Sequence, residues 1–281
     1  MELSVIISSS NHDSNCLNKV LTGFAMQRFR DFEIIITGTE PADERLRLMQ
    51  PFQKEFKSLT YLENSTEPNK ATLLNKAIQA SKSEYLVFTE SNCIPRKDFL
   101  EIHHQRREET FFLSGGQFKL APHIHQGMQE KHIQEQICFE CSWLRRQGLK
   151  FSLKNQQLSR NRIKANIMNA LLPGKASWNR HNVSCWKKDL LDINGFDEHI
   201  AQIDQARDLC QRLHNNDIRG IKVHFNAICL HLNRQAAEKQ MHSSLRPTAL
   251  KPIRSGNPVW TQYGIYKGRT VPVPYTEVDK G

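Results

Sequence analysis

NKATLLNKAIQASKSEYLVFTESN (residues 69–92) changes its hydrophobic period half-way along. In its first part Leu73, Leu74, Ala77 and Ile78 recur at helical spacing, which predicts a helix with one buried face. After a polar break, Tyr85–Phe88 form a continuous apolar run, as expected of a strand covered on both faces. Thr89, Glu90, Ser91 and Asn92 then turn the chain outward, and Pro95 ends the element. A helix feeding into a doubly buried strand is the repeating step of a parallel sheet.

The same step recurs upstream. LSVIISSS (3–10) reads as a first strand, and NCLNKVLTGFAMQRF (15–29) as a helix with Leu17, Val20, Leu21, Phe24 and Ala25 inward. FEIIITG (32–38) is a second buried strand. Residues 41–57 read as a charged helix with Leu46, Met49 and Phe52 on its inner stripe, and SLTYLEN (58–64) as a third, weaker strand. Alternation of this kind predicts a doubly wound, mainly parallel sheet flanked by helices. Ligands on such sheets bind beyond the carboxyl ends of the strands. Those ends are Ser8–Asn11, Thr37–Thr39 and Glu90–Asn92, and the helix starting near Lys70 opens on the same rim. Its N-terminus could receive a phosphate with Lys70 adding charge, or Lys70 could be merely solvated.

The 281 residues carry a formal net charge of +10. An excess of this size suits anionic partners (nucleotides, acidic glycans, an anionic membrane) or a generally basic surface. Aromatic interleaving is sparse and no nucleic-acid motif is present, so nucleic acid is not an expected partner. No apolar run approaches the roughly 20 residues that span a bilayer, and MELSVIISSS lacks the features of a secretory leader, so a cytoplasmic location is expected. Seven scattered cysteines suit reduced thiols; Cys138 and Cys141 read as two neighbours on a helix rather than half of a zinc site.

From 100 to about 170 the pattern is mostly helical and polar. Between Glu140 and Asp189 there is no acidic residue, while Arg145, Arg146, Lys150, Lys154, Arg160, Arg162 and Lys164 recur. The stretch 145–188 is therefore either a solvated basic face or a contact for an acidic glycan or the inner face of a membrane. Residues 236–281 show little periodicity and read as an extended C-terminal tail.

The order of elements resembles family 2 glycosyltransferases of the GT-A fold. LSVIISSSNHDSNCLNKVLTGFAMQRFRDFEIII resembles their opening, NKATLLNKAIQASKSEYLVF the segment leading to their metal motif, and NVSCWKKDLLDINGFDEHIAQIDQARDLCQRL the later acidic segment. AICLHL resembles the strand that ends in a metal-facing histidine. The resemblance implies one GT-A-like unit over 1–235, with a nucleotide-binding half (1–115), an acceptor half (116–235), a small additional sheet, and the extension 236–281. It implies a nucleotide-sugar donor, expected to be a UDP-sugar, and a glycan or lipid-linked acceptor. By position it places Ser8, Ser10, Asn11, Thr37, Lys70, Asn75, Glu90 and Ser91 at the nucleotide-sugar. It places Glu90, Asn92 and His231 at a Mn²⁺ or Mg²⁺ ion.

Three acidic stations of the family are altered. The second strand ends in Thr37-Gly38-Thr39 instead of an acidic pair, the metal motif reads Glu90-Ser91-Asn92, and the pair that supplies the catalytic base falls on Gln205 and Ala206. An amide does not take up a proton near neutral pH, which leaves Asp204 as the nearby substitute for Gln205. Two expectations therefore stand: a transferase with a weakened metal site, or a catalytically inactive relative that binds nucleotide or glycan or serves as a partner subunit. Outside the rim, Trp178 and Trp186 are expected in the core, and Asp197 and Glu198 as caps of the following helix.

Overall fold

A computed structural model describes residues 1–9, 14–63, 69–232 and 258–268. The strands are β1 (Leu3–Ser8), β2 (Phe32–Gly38), β3 (Leu59–Glu63), β4 (Tyr85–Glu90), β5 (Cys93–Pro95), β6 (Phe111–Leu120), β7 (Asn182–Trp186) and β8 (Arg219–Leu232). The helices are α1 (Ser14–Ala25), α2 (Ala42–Met49), α3 (Lys70–Ala80), α4 (Phe99–Arg106), α5 (Pro122–Gln126), α6 (Glu130–Gln134), α7 (Cys141–Arg146), α8 (Arg162–Leu171), α9 (Lys187–Asp192) and α10 (Gln202–Asn215). The strands form one sheet in the order β3-β2-β1-β4-β7-β6-β8-β5.

The half β3-β2-β1-β4 is parallel throughout, and its register sets Ser8 beside both Thr37 and Glu90. Every residue of β1, β2 and β4 is buried, because helices cover both faces. Side chains alternate across the sheet. Val5 and Ile7 join Val20 and Phe24 of α1 on one face, while Ile6 joins Leu74 and Ile78 of α3 on the other.

Beyond β4 the sheet becomes mixed. β7 runs antiparallel between β4 and β6, β6 lies parallel to β8, and β5 closes the edge antiparallel to β8. The strands of the second half thus extend the main sheet. β6 bulges between Gly115 and Gly116. A Cβ on Gly115 would lie 2.1 Å from Asn182 Oδ1, and one on Gly116 2.0 Å from the His224 carbonyl, so only glycine lets the strands approach here. Asn182 fills the gap, donating from Nδ2 to the carbonyls of Gly116 (2.8 Å) and Ala227 (2.9 Å).

Three local expectations changed. α2 stops at Met49 and a 3-10 turn spans Gln50–Phe52, where Pro51 has no N–H to continue the α-helical pattern. Leu46 is exposed, while Arg45 turns inward and pairs with Glu40, so an ion pair occupies part of the predicted apolar stripe. Asp197 accepts from the His199 amide at 2.8 Å within its own turn, and α10 has no side-chain cap. Trp178 packs in the core as expected, among Phe88, Phe112 and Phe196, whereas Trp186 is half-buried at the core's edge, edge-on to Tyr85. Residues 258–268 lie against the loop before α10, where Asn194 Nδ2 donates to the Thr261 carbonyl at 2.7 Å. No helix among the described residues is long and apolar enough to cross a membrane.

Candidate functional site

The site is built where β4 ends. Because β7 runs antiparallel beside it, with Thr89 opposite Asn182, the residues just before β7 are delivered to Glu90. His181 Nδ1 lies 2.8 Å and Arg180 Nε 3.4 Å from the Glu90 carboxylate. The Thr89 hydroxyl fixes this approach by donating to the His181 carbonyl at 2.9 Å. From the other side Lys70, first residue of α3, donates to Glu90 Oε1 at 2.7 Å. Asn69 holds the start of that helix by accepting from the Ala71 amide at 2.9 Å.

Glu90 is thus a buried carboxylate facing three cationic groups. Burial pushes its carboxyl upward, but Lys70, His181 and Arg180 together outweigh this and hold it well below the usual carboxylate range. Burial pushes His181 downward, and its bonds to Cys93 and Glu90 overcome that, bringing it up to about 9. At neutral pH the cluster therefore holds one negative and three positive charges, an excess of two at the rim.

Asn92 lies beside His231, with Nδ2 and Nε2 3.2 Å apart, and Cys93 donates to Asn92 Oδ1 at 3.5 Å. The pairing of β5 with β8 sets Cys93 opposite His231. Burial and the neighbouring His181 charge lower His231 to about 4, so it is neutral at neutral pH. Ser8 and Thr37 are buried at adjacent strand ends, and the Ser91 amide donates to the Ser8 carbonyl at 3.1 Å. Asn75 is turned elsewhere: its amide ties α3 to Phe196, donating at 2.9 Å and accepting at 2.8 Å. Gly195, at φ +69°, lets that loop approach; a Cβ there would sit 2.4 Å from Asn75 Oδ1. Ser10 and Asn11 lie outside the described residues.

A cavity of about 540 Å³ adjoins the cluster, lined in part by Gly115, Trp178, Arg180, His181, Gln202 and Ala206. The first turn of α10 presents no carboxylate to it at the positions expected for a base. Ala206 lines the cavity, Gln205 is buried and donates to the Ile200 carbonyl at 3.2 Å, and Asp204 pairs with Arg207 at 3.1 Å.

A profile of glycosyl transferase family 2 matches residues 4–149, just over half of the sequence. The chain belongs to glycosyl transferase family 2. Solved structures support the fold at low sequence identity. The mannosyltransferase PcManGT from Pyrobaculum calidifontis, solved with GDP-Man and Mn²⁺, aligns with a TM-score of 0.57 and 14% identity, over 85% of this chain and 59% of that one. S. aureus TarS 1-349 with UDP-GlcNAc aligns at 0.52 and 17%, over 84% and 59%. This chain therefore spans under two-thirds of the length of those structures. No curated protein matches it by sequence.

The rim is a poor host for Mn²⁺ or Mg²⁺. A hard divalent ion wants several oxygen ligands, preferably anionic. Here Glu90 is the one carboxylate among the expected ligands, and three cationic groups already oppose it. Asn92 Oδ1 accepts from Cys93, and His231 offers nitrogen. The residues in this arrangement do not fit a hard ion. Cys93, His181 and His231, whose ligand atoms all lie within 4.8 Å of one another, have the donor chemistry of a site for a softer ion.

Sequence reasoning missed Arg180, His181 and Cys93. The signal was the basic pair immediately before the strand at 182–186, informative only once that strand is known to lie antiparallel to β4.

Proposed function

We propose that this family member binds a nucleotide-sugar, a UDP-sugar in the first instance, at the Glu90 cluster. We further propose that it transfers the sugar to a hydroxyl of a glycan or lipid-linked acceptor held in the adjoining cavity. The observation that supports this best is the charge excess at the end of β4. Lys70, Arg180 and protonated His181 gather around Glu90 at the carboxyl end of β4, the rim at which sheets of this kind bind ligands, and this favours a diphosphate there. In the transfer, negative charge grows on the departing diphosphate, and preorganised cations beside it stabilise that charge without reorganising. On this reading donor binding does not depend on a divalent ion, although PcManGT was solved with Mn²⁺.

The acceptor hydroxyl must also lose a proton. Ala206 and Gln205 cannot take it, which favours a second reading in which the chain binds nucleotide or glycan without turning it over. Calorimetric titration of the protein with UDP, UDP-sugars and GDP-sugars, in EDTA and again with Mn²⁺, tests the donor site. Binding in EDTA that Mn²⁺ leaves within about twofold supports the cationic clamp. Binding only with Mn²⁺ overturns the clamp, and no binding under either condition overturns the donor site itself. Release of UDP with a hydroxyl acceptor then separates transferase from binder.

A further inference from the structure

We propose that α8 lays its outer face on an anionic phospholipid surface. α8 is seated on β8 by one side only. Ala165 is buried, Asn169 Oδ1 accepts from the Phe225 amide at 3.0 Å, and Asn169 and Asn226 join side chain to side chain. On the opposite side Ile163, Ile167 and Leu171 are 74, 55 and 71% exposed. Their spacing of four residues gathers them into one stripe, about 12 Å long at 1.5 Å per residue. Lys164 projects about 100° to one side of Ile163 and borders the stripe with a cationic head on a long apolar stem, while Arg162, on the other side, lies 3.5 Å from the Glu101 carboxylate of α4.

Exposed apolar side chains concentrate in this part of the molecule. Of nine large apolar residues left exposed among the described residues, Phe151, Leu153, Ile163, Ile167 and Leu171 fall within one short segment. Charge identifies what would cover them. No acidic residue lies between Glu140 and Asp189. A groove of about 830 Å³ beside α8 is lined by Arg106, Lys175, Arg219 and Lys222, with Asp217 as its acidic member. A second copy of this face would bring like charges together across a contact, which opposes self-association. A bilayer with anionic headgroups meets both requirements: acyl chains receive the stripe, and phosphates meet the flanking cations. One short stripe plus a basic surround predicts shallow, reversible, salt-sensitive attachment.

The test is sedimentation of the full chain with vesicles of phosphatidylcholine alone or with about 30% phosphatidylglycerol. The expected result is binding to the anionic vesicles, loss at high salt, and little binding to the neutral ones. Ile163→Asp/Ile167→Asp should weaken it by at least about tenfold, with the circular dichroism of the wild type retained. Leu46→Ser, an exposed apolar site on another helix, should leave it unchanged. Failure of the full chain to bind anionic vesicles overturns the proposal, as does equal binding by the double variant. A dimer in gel filtration that the double variant converts to monomer would assign the stripe to a second copy instead.

Discussion

The carboxyl end of β4 and the first turn of α10 flank one cavity, yet their charges have been handled in opposite ways. At β4 a carboxylate is retained and three cationic groups converge on it. At α10 the corresponding positions hold a buried amide and a methyl group, and the nearest acid, Asp204, is paired with Arg207. On the proposed reading, one end meets a diphosphate with a fixed positive cluster, while the other offers no proton acceptor at the expected positions. Donor binding and acceptor deprotonation would then be separable properties.

The comparison breaks most visibly at Glu90. Glu90→Gln removes the one anion that three buried or half-buried cations share, and should lower the free energy of unfolding by about 3 kcal/mol. Urea denaturation measures it, and added pyrophosphate should recover part of the loss by replacing the missing charge. At the other end, Ala206→Asp puts a carboxylate into the cavity. If deprotonation is the step that α10 lacks, UDP release with a hydroxyl acceptor should rise by about a hundredfold, whereas nucleotide affinity stays near wild type.

Lys70→Ala probes the clamp without unpairing it, since Arg180 and His181 still oppose Glu90. The UDP dissociation constant should rise about tenfold by calorimetry, with stability changed less than in Glu90→Gln. An unchanged constant would remove Lys70 from the donor site. The smallest effect concerns pH. His181 is raised from 6.5 to about 9, so its contribution to stability is complete below pH 6.5 and disappears as pH climbs through about 9. Glu90 is depressed, so its contribution is present above the ordinary carboxylate range and is lost only in acid. Thermal midpoints should fall between pH 6.5 and 9.5, and His181→Gln should flatten that slope, because the proton whose loss produces it is gone.

Half of this architecture could be read directly from the residues. β1, β2 and β4 are continuous apolar runs, and α1 and α3 have clean helical spacing, so local pattern sufficed for the parallel half and for Ser8, Thr37 and Glu90 at its rim. The cations around Glu90 could not be found this way. Arg180 and His181 are some ninety residues away in sequence, and only the antiparallel insertion of β7 brings them near. Asn75 lies in the second turn of α3, and its partner Phe196 arrives through a left-handed turn at Asn194 and Gly195 that no periodicity announces. Arg45 displaced Leu46 from the interior because Glu40 was there to receive it. In each case a long-range or polar partner outweighed a local preference.

His181 is followed immediately by Asn182, whose amide is bonded to the backbones of two other strands across the paired glycines. The hand that grips Glu90 therefore has its wrist sewn into the sheet. Releasing it would mean peeling strands apart, so selection or engineering can re-tune the neighbouring side chains while the grip itself stays in place.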